Sequence, residues 1–195
     1  MRSKTVVLRG FAAAALAMAL LAGCRTRQVG LGVGIDLQRP QAVMQAPYVG
    51  FRSGENFRLR VTPSQDCYVY VLHEGTDGSW AMLFPRTEVE SGKNFCRIGL
   101  PVQIPSVGWF QFDDQPGIER LIILACRKHI GEIEAFRNRP LAAQEAKALL
   151  MQVEETYNTR VVKRAEVRRV DHVYHIVATR DEFPVLNFNL DLVHQ

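Results

Sequence analysis

Short runs in which apolar and polar residues alternate, with glycine or proline between them, fill most of the chain from residue 48 onward. Alternation with a period of two is typical of a β-strand that buries one face. Closely spaced strands of this kind indicate a mostly β fold, either a β-sandwich of short antiparallel strands or an open barrel. The runs predict strands at 57–61, 67–72, 80–84, 95–98, 102–104, 109–112, 119–126, 160–170, 172–179 and 185–192.

One part of the chain has helical periodicity instead. Between Ala142 and Tyr157, apolar residues recur at spacings of three and four, and Pro140 precedes them. Proline suits the first turn of a helix, and a stripe at this spacing is typical of a helix that buries one face. We therefore expect one α-helix packed on the sheets, followed by the C-terminal strands.

The first 23 residues have the composition of an export signal. Arg2, Lys4 and Arg9 precede an unbroken apolar run at 11–21. This run is far shorter than the roughly 20 residues that a membrane-spanning helix needs, and small residues follow it. We predict that residues 1–23 are a signal peptide and that the mature chain begins at residue 24.

The end of this segment reads Leu21, Ala22, Gly23 and Cys24, and it resembles the lipobox of bacterial lipoproteins. The resemblance implies cleavage between Gly23 and Cys24, diacylglycerol on the Cys24 thiol and an acyl chain on the new amino group, with no other cofactor. Acyl chains hold a protein firmly on a membrane, because each buried methylene contributes about 0.8 kcal/mol. In that family, Arg25 in place of an aspartate favours transport to the outer membrane, so we expect a protein anchored there and facing the periplasm.

Removal of the signal peptide also changes the charge. The full chain has 24 basic and 20 acidic residues, and residues 1–23 contain three of the basic ones and none of the acidic ones. The formal charge therefore falls from +4 to about +1. A nearly neutral chain does not have the basic surface that binds nucleic acid, so no nucleic-acid partner is expected.

The mature chain divides into three parts. Residues 24–47 are expected to be a lipidated N-terminus with a linker or an edge strand, 48–130 a β domain, and 131–195 the helix and C-terminal strands of the same globule. In the first part, glycines at 30, 32 and 34 alternate with apolar residues, which predicts a strand whose glycine face lies against another backbone. A phosphate-binding loop is an alternative, but the last glycine of the dinucleotide fingerprint is missing.

Five short segments of the β domain carry a family resemblance. They read Phe-Arg-Leu-Arg-Val at 57–61, Tyr-Val-Tyr-Val-Leu at 68–72, Leu-Phe-Pro at 83–85, Ile-Pro at 104–105 and Pro-Gly-x-Glu-Arg at 116–120. Their order and spacing resemble a bacterial domain of unknown function, the family numbered four-three-eight-four, over residues 48–127. Arg86 departs from the asparagine that this family often has there. The resemblance implies a small β-rich accessory domain, found in envelope lipoproteins and beside peptidase or kinase modules, and it transfers no catalytic residue.

No motif assigns a catalytic residue or a metal ligand. The Gly-x-Ser-x-Gly of serine hydrolases is absent, and His73 does not begin a His-Glu-x-x-His zinc motif because residue 77 is aspartate. Residues 74–79 are the predicted loop of a hairpin, where Glu74 and Asp77 either bind calcium weakly or lie in solvent. His172 and His175 are expected on opposite faces of a strand.

Three cysteines follow Cys24, at positions 67, 96 and 126, and each lies in an apolar run. Buried thiols are the simplest interpretation. One disulfide among the three stays open as an alternative, because exported proteins meet an oxidising compartment.

Three classes of function stay open. The first, favoured by the absence of motifs, is a non-enzymatic lipoprotein that docks an envelope protein through exposed apolar residues. The second is a glycan- or lipid-binding module with a concave pocket, and the third is a hydrolase of an unrecognised type. The candidate contact residues are the aromatics Trp109, Phe110 and Phe112 and, on one face of a basic strand, Arg164 and Arg168.

Overall fold

A computed structural model describes residues 29–39, 42–45, 50–87, 89–157, 160–161, 168–170, 172–178 and 185–195. Cys24 and Arg164 lie outside these ranges. Within them the chain is mostly β, with two α-helices, α1 (Gly131–Glu134) and α2 (Ala143–Tyr157), and a short 3-10 helix at Glu90–Gly92. The strands are β1 (Val29–Arg39), β2 (Ala42–Gln45), β3 (Asn56–Pro63), β4 (Cys67–Glu74), β5 (Trp80–Phe84), β6 (Phe95–Cys96), β7 (Val102–Ile104), β8 (Phe110–Gln111), β9 (Gly117–Cys126), β10 (Arg160–Val161), β11 (Arg168–Val170), β12 (Val173–Ala178) and β13 (Val185–His194).

The strands form two sheets, and the predicted mostly β fold class is confirmed. The first sheet has the order β11-β12-β1-β3-β7, with β2 beside β1 and β8 beside β3. The second has the order β10-β13-β9-β4-β5, with β6 beside β4. Its longest pairing joins β9 and β13 in an antiparallel register of ten residues. The predicted hairpin of 67–72 with 80–84 is present as β4 and β5.

Two apolar layers hold the molecule together. The inner faces of the two sheets enclose one core, to which β1 contributes Leu31, Val33, Ile35 and Leu37. The outer face of the second sheet forms another core with α1 and α2, in which Leu149 and Val153 are buried. Strands β4 and β9 are therefore covered on both faces, which explains their nearly continuous apolar sequences. The first sheet has no helical layer among the described residues.

Strand β1 lies inside the first sheet rather than at its edge. It pairs with β12 on one side and with β3 on the other. Residues 24–47 were expected to form a linker or an edge strand, and neither describes residues 29–39. These residues form a strand with a neighbour on each side, and their apolar side chains belong to the core. The physical reason is that β12, which is distant in sequence, pairs with residues 29–34 of β1, whereas the local partner β2 pairs only with residues 36–39 on that side.

The two ends of the sandwich differ in what they carry. Val29, the first described residue, lies at the end where β3 turns into β4, and Gly30 exchanges hydrogen bonds with Ser64 there. We call this the entry end. The opposite end, which contains Glu74, Gly117 and His194, is called the far end.

Three details differ from the expected elements. The helix begins at Ala143 and not near Pro140, because the backbone N–H of Leu141 donates to the carbonyl of Trp80 and so extends the sheet. The strand expected at 160–170 is described only at its two ends, as β10 and β11. Helix α1 was not expected from the sequence. No helix among the described residues is long and apolar enough to cross a membrane.

Candidate functional site

Polar residues end three neighbouring rows of inward-facing side chains at the far end. In β4, β9 and β13 every second residue points into the core, and the last positions of these rows are His73, Glu119 and His194. Glu119 and His194 are buried. A buried carboxylate between two imidazoles is unusual in an apolar core, because burial of a charged group is costly unless that group is paired.

Short distances join these side chains to one another and to Asp113, which precedes β9. Glu119 uses one oxygen, Oε2, for a 2.8 Å hydrogen bond with His73 Nε2. Its other oxygen, Oε1, lies 3.1 Å from His194 Nε2. Asp113 Oδ1 lies 4.0 Å from the same nitrogen. We refer to His73, Asp113, Glu119 and His194 as the polar cluster.

The imidazole of His194 is held firmly by its surroundings. It is 1% exposed, and its ring stacks on Phe112 with centroids 5.1 Å apart. Phe112 in turn stacks on Phe51 and Phe57. Nδ1 lies 3.5 Å from Ser53 Oγ. The ring is therefore fixed with Nε2 on the side of the two carboxylates.

A second feature is an apolar surface at the entry end. Phe95, Ile98 and Leu100 are 50%, 60% and 57% exposed, and all three lie within one six-residue stretch. The ring of Phe95 packs on Tyr68 with centroids 5.2 Å apart, and Ile98 is tied to the β3–β4 turn by a hydrogen bond from its backbone N–H to Asp66. We call Phe95, Ile98 and Leu100 the entry surface.

A third feature is a groove of about 700 Å³ on the outer face of the first sheet. Gly30 and Gly32 form its floor, since a glycine row leaves the backbone of β1 without side chains. Arg60 and Thr62 of β3 line one wall and His175 of β12 the other. The expectation that another backbone covers the glycines is wrong for these residues: the side chain of Arg60 lies over Gly34, and the rest of the row is open groove.

The comparisons with known proteins give one match. Residues 50–129 match the family described as Domain of unknown function (DUF4384). No curated protein and no solved structure matches the chain. The DUF4384 segment runs from just before β3 to just after β9, and the resemblance seen in its sequence motifs is confirmed. It contains the entry surface and three members of the polar cluster, whereas His194 comes from β13, outside the segment.

Sequence reasoning did not find the polar cluster, because its members come from distant parts of the chain. The DUF4384 segment supplies His73 from a hairpin and Glu119 from a strand start, and His194 is almost the last residue. One signal was present for His73, Glu119 and His194. Each lies two positions along its strand from an inward-facing apolar residue, so strand alternation alone places it on the core face. That signal does not show which residues of different strands lie next to one another.

The predicted aromatic contacts lie in different environments. Phe112 is 1% exposed and belongs to the core, so it offers no surface to a partner. Phe110 is half-buried and packs against Phe57. Trp109 is also half-buried, with the guanidinium carbon of Arg58 4.3 Å from its ring centroid. The expectation of an accessible aromatic therefore rests on Trp109 and Phe110.

The other predicted residues are not all described. Gly23, Cys24 and Arg164 lie outside the described residues, and Arg168 is placed only as backbone in β11, opposite His175. At the tip of the β4–β5 hairpin, hydrogen bonds from the hydroxyl and from the backbone N–H of Ser79 lower the pKa of the Asp77 carboxyl.

Cys67, Cys96 and Cys126 are buried and are not joined in a disulfide. Cys67 lies directly opposite Cys96 in the β4–β6 pair, and Cys126 is next to Tyr68 on the neighbouring strand. Burial raises the pKa of Cys67 to about 12 and that of Cys126 well above its usual value. Thiols of this kind are protonated at neutral pH and are poor nucleophiles.

Proposed function

We propose that the protein is a non-enzymatic lipoprotein, anchored in the outer membrane and facing the periplasm, that acts as an interaction or accessory module of an envelope assembly. Its partner is a protein at the membrane surface. The observation that carries the proposal is the entry surface, because three exposed apolar side chains lie within six residues of one another at the end where the chain enters the sandwich. Apolar groups in water are disfavoured, and a cluster of them is typical of a contact surface.

The position of the lipobox supports the same arrangement. Five residues lead from Cys24 to Val29, and a fully extended chain of that length spans at most roughly 18 Å. A lipid on Cys24 therefore keeps the entry end close to the bilayer. Arg97, Arg127 and Lys128 are exposed at this end, and basic side chains are attracted to anionic surfaces next to a membrane. A partner that meets the entry surface would thus lie at the membrane, not deep in the periplasm.

Site-specific photo-crosslinking in living cells tests this proposal. A crosslinking amino acid is placed at Leu100, in the entry surface, and at Met151, an equally exposed apolar position on α2. Each is combined with intact Cys24 and with Cys24→Ala. We expect one protein to be captured from Leu100 but not from Met151, and to be lost with Cys24→Ala because the domain no longer stays at the membrane.

Two results would contradict the proposal. Capture of lipid alone from Leu100 would make the entry surface a membrane contact without a protein partner. Equal capture from both positions would show that exposure, and not the entry surface, decides what is bound.

The groove on the first sheet favours a second candidate function, the binding of a glycan or a lipid. It combines a glycine floor with Arg60, Thr62 and His175, and binding sites usually pair a concave surface with a few polar groups. A Gly32→Val variant would fill the floor; an added Cβ there meets its neighbours at ordinary distances of 3.5 Å or more. Titration with peptidoglycan fragments and lipopolysaccharide should show binding by the unchanged chain and a loss in the variant, whereas equal behaviour would remove this candidate.

A further inference from the structure

His194 Nε2 is a buried polar atom without a hydrogen bond among the described residues. Glu119 Oε1 is only 3.1 Å away, within reach of a hydrogen bond, but it does not lie along the direction of the ring nitrogen's bond. A buried nitrogen with an unmet hydrogen bond is costly, and native proteins rarely leave one. Nε2 thus lies beside both carboxylates without a hydrogen bond to either.

The separations of the facing atoms fit one shared ion. The ligand atoms of Asp113, Glu119 and His194 all lie within 4.8 Å of one another. Bonds of about 2.0 to 2.2 Å from nitrogen and oxygen to zinc place tetrahedral ligands roughly 3.3 Å apart. The Glu119–His194 pair is already near that separation at 3.1 Å. Asp113 Oδ1 lies 4.0 Å from His194 Nε2. The Asp113 side chain is exposed, so it has room to move closer to a bound ion.

The surrounding residues orient these ligands as the outer shell of a metal site does. His73 holds Oε2 of Glu119 at 2.8 Å and leaves Oε1 facing His194. The backbone N–H of Gln115 donates to Asp113 Oδ1 at 2.8 Å. Hydrogen bonds of this kind fix the rotamer of a ligating group and raise metal affinity.

The charge of the cluster is also suited to a cation. Two carboxylates lie beside the imidazole of His194, and an imidazole nitrogen is itself a metal ligand. The next basic residue along β9, Arg120, points to the opposite face, where it pairs with Glu74 and Asp191. An imidazole together with carboxylates is a ligand set for first-row divalent metals such as Zn²⁺, whereas Ca²⁺ and Mg²⁺ prefer oxygen alone.

We propose that Asp113, Glu119 and His194 form a binding site for a divalent transition metal of the Zn²⁺ type, with His73 as the positioning residue for Glu119. Asp113 lies at the solvent boundary and gives the ion its route of entry. The metal would join the loop before β9 to the last residues of β13, and so would tie the DUF4384 segment to the C-terminal strand.

The test is a titration of the full chain, purified without a histidine tag and stripped with EDTA, with Zn²⁺ followed by calorimetry. We expect one ion per chain and a rise in melting temperature, because a ligand that binds only the folded state stabilises it. Asp113→Asn keeps the oxygen that accepts from Gln115 but removes the ligand charge, and should weaken binding by about tenfold or more. Asp114→Asn, at the adjacent exposed residue, is the matched control and should bind as the unchanged chain does.

X-ray absorption of the zinc-loaded chain distinguishes this site from the cysteines. The proposal requires nitrogen and oxygen neighbours. Sulfur neighbours would assign the metal to the thiols, and this result, an absence of saturable binding, or equal affinity in Asp113→Asn and the unchanged chain would each overturn it. Because Asp113 is exposed, its variant is expected to fold, which circular dichroism checks.

Discussion

Among single residues, Tyr70 links the second sheet to the helical layer. Its side chain is fully buried in the outer core of that sheet, and its hydroxyl accepts a 2.8 Å hydrogen bond from the backbone N–H of Ile130. Burial raises the pKa of Tyr70 to about 12, so the hydroxyl is neutral at physiological pH. Ile130 directly precedes α1, whose first N–H groups need acceptors outside the helix. The hydroxyl therefore fixes where the chain leaves β9.

Tyr70→Phe should lower the free energy of unfolding by about 1 to 3 kcal/mol, because the N–H of Ile130 stays buried without an acceptor. Urea denaturation measures the change. Tyr68→Phe is the matched control: this neighbouring ring packs on Phe95 and His129 through its faces and edges, which phenylalanine preserves. Equal losses for the two variants would mean that the hydroxyl of Tyr70 has no special role.

At the scale of elements, α2 contributes one buried stripe to the fold. Ala146, Leu149 and Val153 are buried at the spacing of three and four that the sequence displays, whereas Met151 is 61% exposed on another face. Helices of this length gain most of their stability from packing of such a stripe. The stripe covers the outer face of β4 and β9.

Leu149→Ala should therefore destabilise the protein by roughly 2 to 5 kcal/mol, through lost burial and the cavity that is left. Met151→Ala should change the free energy of unfolding by less than about 0.5 kcal/mol, as surface substitutions do. Thermal and urea unfolding of both variants measure these changes in the free energy of unfolding. A small loss for Leu149→Ala would show that α2 is not an integral layer.

The start of α2 carries an ion pair with a defined effect on titration. The guanidinium of Arg139 donates to both carboxylate oxygens of Glu145, at 3.0 and 2.6 Å. This pairing lowers the pKa of Glu145. A carboxyl whose folded pKa is depressed contributes stability above its unfolded pKa, and the contribution disappears as the pH falls through the folded value.

Arg139→Gln should accordingly return the pKa of Glu145 toward its usual range, which carboxyl NMR titration measures directly. Because both groups are largely in solvent, the effect on overall stability should be small. A Glu145 pKa that stays depressed in the variant would assign the shift to the helix N-terminus instead of to Arg139.

At the scale of the whole molecule, the DUF4384 segment is an incomplete sandwich. It contains β3, β7 and β8 of the first sheet and β4, β5, β6 and β9 of the second. It does not contain β1, which lies beside β3, or β13, which pairs with β9 over ten residues. Both missing strands are interior to their sheets, and both supply core side chains.

A fragment of residues 50–129 is therefore expected to be unfolded or to aggregate, because it exposes two sheet edges and lacks the inner-core side chains of β1 and β13. Residues 29–195 should fold cooperatively. Circular dichroism and limited proteolysis of the two fragments test this expectation. A protease-resistant 50–129 with native strand content would show that the outer strands are additions to an independent domain.

Several parts of the fold were predictable from the residues because they depend on local pattern. Short apolar runs gave the hairpin of β4 and β5 and the long strand β9, and spacings of three and four gave the buried face of α2, because each of these patterns is visible within one segment. Helix α1 was not predictable, because four residues are too few to show a period. The interior position of β1 was not predictable either, since β3 and β12, which flank it on the two sides, pair with residues that lie 20 or more positions away.

The candidate sites divide in the same way. The apolar character of Phe95, Ile98 and Leu100 is visible in the sequence, but their exposure depends on what covers them. Phe112 shows the opposite case: alternation marked it as a possible contact, yet Phe51 and Phe57 enclose it.

By itself, the sequence determined the strand-rich class, the helix with its buried face and the family resemblance of residues 48–127, because each is encoded in the order of neighbouring residues. The tertiary structure alone decided the order of strands in the two sheets and the meeting of His73, Asp113, Glu119 and His194. Hydrogen bonds between strands and the burial of side chains join residues without regard to their separation along the chain, so a contact between distant residues is fixed only when the sheets close around the core.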